Sequence, residues 1–204
     1  MISKESIKNL TVENIKKSNP KEYLLLMAHA LRLGALYKAK FFMWIENNHY
    51  ELIDQNDEEL EHLIKEIAAL HKKAVSVTEE TGIDYMDNIF YSVLKESGLY
   101  EEADCISLSL CLLAYVSFKS NLITNEEYLE IRDLLVPYKL MISQCKTKSG
   151  NLNKIYLKNI DSYDKKVMLL SKLGKGIESD LPDASIIKEA FEEITYDEKS
   201  WEKE

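Results

Sequence analysis

An all-α fold, in one compact multi-helix bundle, is what the sequence predicts, and three observations predict it. Only six glycines and three prolines punctuate 204 residues, so long stretches are free of breakers. Between them apolar residues recur at three- and four-residue steps, the helical period. No segment reads as a row of β-strands, and no glycine-rich turn follows a strand.

Taken in order, Val12 to Lys17 is a short amphipathic stretch that stops at Ser18-Asn19. Pro20 then stands where proline is welcome, in the first turn of a helix. That helix is predicted to run to Asn47-Asn48, with Leu24, Met27, Leu31 and Ala35 on one face. Asn56-Asp57 offers the next cap, before a stripe of Leu60, Leu63, Ile67, Leu70 and Ala74. Gly82 ends that region. Ile83 to Leu94 is a third periodic stretch, closed by Gly98.

Glu102 to Phe118 is apolar on nearly every side and is therefore the expected central helix. Its apolar run is too short for the roughly 20 residues that cross a bilayer. Thr124-Asn125-Glu126-Glu127 is a capping box opening a helix that ends near Pro137. Beyond Gly150, shorter helices are expected around Ile155 to Leu173 and Asp183 to Ile194, then a frayed charged tail from Thr195 to Glu204. The whole chain, residues 1–204, reads as one helical domain with residues 1–19 as its lead-in.

The formal charge of −9 opposes general binding to nucleic acid or to an anionic membrane, because both would be repelled. Cys105, Cys111 and Cys145 form no CxxC pair, so neither a disulfide framework nor a thiolate zinc site is indicated. A reducing cytoplasm is the expected compartment, and MISKESIKNL has neither the long apolar core nor the small-residue cleavage site of a signal peptide. Leu173-Gly174-Lys175-Gly176 is a lone GxG, weak evidence for phosphate binding. No GxSxG elbow is present, and no cysteine has a histidine in a suitable context.

Several stretches, in order, carry a resemblance. They are Ala28-His29-Ala30-Leu31-Arg32, Lys40 to Glu46, Leu63-Ile64 through Val75, and Glu79-Glu80-Thr81-Gly82. Glu102-Ala103-Asp104-Cys105 follows, then Asn121 to Glu127 with Leu134-Leu135 and Tyr138-Lys139-Leu140. Tyr163-Asp164-Lys165-Lys166 and Leu173-Gly174-Lys175 complete the series. Together, from about Thr11 to Ile194, they resemble the helical C-terminal half of 3-dehydroquinate synthases.

The resemblance implies a two-part enzyme, with an α/β domain for NAD and a helical domain supplying metal ligands and substrate contacts. NAD is not expected to bind this chain alone. In the family one Glu and two His hold a catalytic zinc; the matching positions here read His29, Asp87 and Glu102. All three are ligand-competent types, able to hold a zinc-like divalent metal if they converge. The plainer reading makes His29 a core histidine, Asp87 a surface charge and Glu102 a first-turn acid favouring the helix dipole. The cationic substrate positions match Arg32, Lys72 (with Lys73 as its alternative), Lys165 and Lys166. They would neutralise an acidic metabolite, or else be solvated surface charges.

The family's most specific motif, rich in Gly and His, is replaced by Asp84 to Leu94 without either residue type. Hydrophobic spacing survives there and catalytic types do not. A non-catalytic or accessory homologue is the leading expectation, and no catalytic residue is assigned. A split or divergent lyase of the shikimate (aromatic amino acid biosynthesis) type, completed by a separate NAD-binding chain, is the alternative; an unrelated helical interaction module is the third. A homodimer or such a partner chain is expected to cover the face that would otherwise meet the nucleotide domain.

Overall fold

The computed structural model describes residues 10–81, 88–145, 152–159 and 166–196. Helix α1 (Val12–Lys17) is capped by Thr11, whose hydroxyl accepts from the Asn14 amide. Helix α2 (Pro20–Tyr37) opens on a full capping box: Asn19 accepts from the Glu22 amide, and the Glu22 carboxylate accepts from the Asn19 amide. With Pro20 at the first position, three independent signals fix this helix start.

The helix expected to reach Asn47-Asn48 instead breaks at Lys38, and helix α3 (Ala39–Asn47) begins after it. The cause lies far along the chain. The Gly174 amide donates to the Ala35 carbonyl at 2.7 Å, taking the acceptor that the Ala39 amide would use in an unbroken helix. Gly174 can come so close because it has no side chain: a Cβ there would lie 2.1 Å from the Ala39 nitrogen. Its φ of +78° suits glycine as well.

Helix α4 (His49–Ile53) leads through left-handed Gln55 into helix α5 (Asp57–Thr81), whose first turn carries Asp57, Glu58 and Glu59. The predicted stripe of Leu60, Leu63, Ile67, Leu70 and Ala74 is buried. Helix α6 (Ile89–Ser97) starts later than expected, because Asn88 caps it by accepting from the Tyr91 amide; Gly98 ends it in the left-handed conformation. The preceding residues 82–87 lie outside the described set.

Helix α7 (Glu102–Lys119) is the central helix, as its composition requires. Every residue from Cys105 to Ser117 is buried. Each buried leucine contributes roughly 1.5–3 kcal/mol, so this element dominates the core. Its three buried serines donate to carbonyls within the helix: Ser107 to Asp104, Ser109 to Ile106 and Ser117 to Leu113. Helix α8 (Asn125–Asp133) has the predicted Thr124–Glu127 capping box, but ends before a separate 3-10 turn (Val136–Tyr138).

The described residues are mostly helical, as expected, but the C-terminal third adds strands to the all-α reading. Helix α9 (Leu152–Asn159) stops well short of Leu173. Strands β2 (Lys166–Lys172) and β3 (Lys175–Asp180) form an antiparallel hairpin. Val167 to Leu170 are buried on both sides, with the Leu170 amide donating to Ser117 Oγ of α7. A short apolar run buried on both faces has no alternation, so its period does not separate strand from helix. Helix α10 (Ala184–Glu193) follows. The tail is not wholly frayed: β4 (Thr195–Tyr196) pairs in parallel with β1 (Gln144–Cys145). Among the described residues no helix is long and apolar enough to cross a membrane.

Candidate functional site

His29 and Arg32 lie one helical turn apart on α2, three residues being a neighbour spacing. Both are buried, at 1% and 0% exposure. The Arg32 guanidinium donates to Ser109 Oγ of α7 at 2.6 Å, so it spans the α2–α7 junction inside the core. Burial pulls the His29 imidazole down to a pKa of about 3, helped by the Arg32 charge and by His71 of α5. His29 is therefore neutral at any ordinary pH, while Arg32 keeps its charge. Ser109, which accepts from Arg32, and His71, whose charge acts on His29, are two neighbours that sequence reasoning did not single out. Ser109 did leave a signal: a hydroxyl in a helix buried all round needs a buried partner.

The remaining positions sit in different surroundings. Lys72 and its neighbour Lys73 are both exposed on α5. The Lys73 ammonium donates to the Tyr37 carbonyl at 3.2 Å, near the C-terminus of α2, and lies over the Tyr37 ring. A cation there opposes the negative end of the helix dipole. Glu102 opens α7 and accepts from the Tyr91 hydroxyl at 3.4 Å; burial and the Glu102 charge both push the Tyr91 phenol up. Lys166, at the start of β2, forms ion pairs with Asp180 at 2.8 Å and Glu178 at 3.4 Å across the hairpin. Asp87 and Lys165 lie outside the described residues.

His29 and Arg32 are thus brought together in the core, Glu102 is engaged with α6, Lys166 is held by the hairpin's own acids, and Lys72 faces solvent. Among the described residues no group of three His, Cys, Asp or Glu side chains is placed to hold a metal ion. The two described members of the metal set do not together fit zinc. What the structure does show at the His29–Arg32 pair is a guanidinium held inside the core by a hydrogen bond to another helix.

No family model matches the chain. A curated 3-dehydroquinate synthase from Idiomarina loihiensis is 20% identical over 138 residues, spanning 64% of this chain and 39% of that protein. The chain resembles the 3-dehydroquinate synthase family. In fold, it is similar to ValA, a 2-epi-5-epi-valiolone synthase from Streptomyces hygroscopicus subsp. jinggangensis 5008, solved with NAD+ and Zn2+ bound. The TM-score is 0.77 at 12% identity, over 90% of this chain and 54% of that one. The synthase-like chain therefore spans about two-fifths of the curated relative and about half of the solved one.

Proposed function

We propose that the chain is a non-catalytic, accessory homologue of the synthase's helical domain, keeping the scaffold without the zinc-dependent reaction. One observation carries this reading. Arg32, at the position the resemblance assigns to a substrate cation, is wholly buried and donates to Ser109 in a helix–helix junction. A guanidinium used there braces α2 against α7 rather than meeting a phosphate. The ion-paired Lys166 and the solvent-facing Lys72 support the same reading. The accessory role would be exercised by docking, on a second copy or a separate NAD-binding chain.

A split enzyme is the rival, favoured by a fold match that takes in 90% of this chain and only 54% of a complete synthase. The two readings part in a growth assay. A bacterium lacking its own 3-dehydroquinate synthase, given this chain, is expected not to grow without aromatic supplements, with or without a co-expressed NAD-binding half from the Idiomarina relative. Growth that needs both pieces would establish the split enzyme instead.

A further inference from the structure

A cavity of about 330 Å³ lies where α1, α2, α4 and the 3-10 turn meet, apart from the His29–Arg32 cluster. Met27 lines it, and Met27 and His29 are two residues apart on α2, so they face different ways. Its walls are largely apolar: Pro20, Leu24, Met27, Ile53 and Pro137. Two tyrosine rings add to them while their hydroxyls are engaged elsewhere. Tyr23 donates to the Leu52 carbonyl and Tyr138 to the Ile45 carbonyl. The volume falls within the usual range for small-molecule sites, roughly 300–1,000 Å³.

The rim is polar and unusually built. Gln55 and Lys139 both line the cavity, and both hold left-handed backbone, with φ of 55° and 57°. The only other non-glycine residue so held among the described residues is Asn121. Each stands just past a helical turn, where glycine is the unstrained choice. Keeping a long polar side chain at such a position stores strain, and strained backbone of this kind gathers at ligand sites. Lys139 is exposed and has no ion-pair partner among the described residues, whereas Lys16, the other rim cation, is paired with Asp57. On a chain of net charge −9, an available cation over an apolar cavity selects for an anion with an apolar body.

We propose that this cavity binds a small amphipathic carboxylate, its aromatic or branched apolar body against Leu24, Met27 and the two tyrosine rings and its carboxylate on Lys139. Gln55 supplies an amide for the second carboxylate oxygen or a neighbouring polar group. The α2 N-terminus takes no part, because the Asn19–Glu22 capping box already satisfies it.

Hydrocinnamate is a suitable probe, with uncharged hydrocinnamamide as its control. An NMR titration is expected to give saturable amide shifts confined to residues around Tyr23, Ile53, Gln55 and Lys139. The amide should bind at least tenfold more weakly, and Lys139→Glu should weaken hydrocinnamate at least tenfold. Lys139→Gly separates binding from folding: it should lose affinity while melting at a higher temperature than the parent, because glycine relieves the left-handed backbone. Lys188→Glu, the same charge change on α10, should bind like the parent. Shifts that do not saturate or fall elsewhere, equal binding of the amide, or unchanged affinity in Lys139→Gly would overturn the proposal.

Discussion

Two regions carry most of the described positions that the resemblance marks for chemistry, and the molecule treats them oppositely. At the α2–α7 junction His29 and Arg32 are drawn into the core, one made neutral and the other tied to Ser109. On the hairpin and on α5, Lys166 and Lys72 stay at the surface, one answered by Asp180 and Glu178 and the other exposed. The difference teaches that likeness along the chain is not likeness of a site. A site needs its charges to converge on one space; the described members of this set lie in separate surroundings.

The comparison predicts a steep gradient of mutational effects. Arg32→Ala should be the most damaging, costing roughly 3–5 kcal/mol, because it removes a large, wholly buried side chain and the hydrogen bond it donates across the α2–α7 junction; urea unfolding measures it. Should it cost no more than a surface substitution, the junction does not depend on Arg32. Gly174→Ala comes next, at roughly 2–4 kcal/mol. Its methyl would strike the Ala39 backbone, so the hairpin turn must leave the Ala35 carbonyl. Hydrogen exchange should show amides near the Lys38 break losing protection, and an unchanged exchange pattern would dissociate the hairpin from that break.

His29 gives a pH signature. Its folded pKa is lowered to about 3, against about 6.5 when unfolded. Between those values the unfolded chain binds more protons, so stability falls as pH drops below 6.5. The slope is about 1.4 kcal/mol per pH unit, or about 2 kcal/mol from pH 6.5 to 5, before most carboxylates protonate. His29→Leu should flatten that slope in denaturant titrations; an equal slope would mean the imidazole is not held neutral. Smallest of all, Lys72→Ala and Lys166→Ala should leave the melting temperature within error, since exposed lysines and surface ion pairs add little. A large drop for either would show that the surface region is not peripheral.

Much of the fold was legible because its signals are local. Pro20, the Thr124–Glu127 box and Gly98 each mark a boundary within a few residues of sequence, and each stands in the structure as read. The greasy run after Glu102 likewise announced its central position. The break at Lys38 was not legible, since its cause is Gly174, far along the chain. The hairpin was missed for a related reason: Val167 to Leu170 is too short and too uniformly buried to show a strand's alternation. Leu173-Gly174-Lys175-Gly176, weighed as a weak phosphate motif, is a hairpin turn whose glycines let it sit against α2; Gly176 packs on Leu36. For the site, residue types could be read but depth could not. Arg32 as a core brace follows only once α7 is seen to bring Ser109 against it.

Metal analysis of the protein purified without chelator or nickel resin tests whether this synthase-like scaffold lacks the zinc of a synthase. The expected result is far less than one zinc, manganese or iron per chain, unchanged in Glu102→Ala. A stoichiometric metal in the parent, lost in Glu102→Ala and in His29→Ala while both variants remain folded, would contradict it.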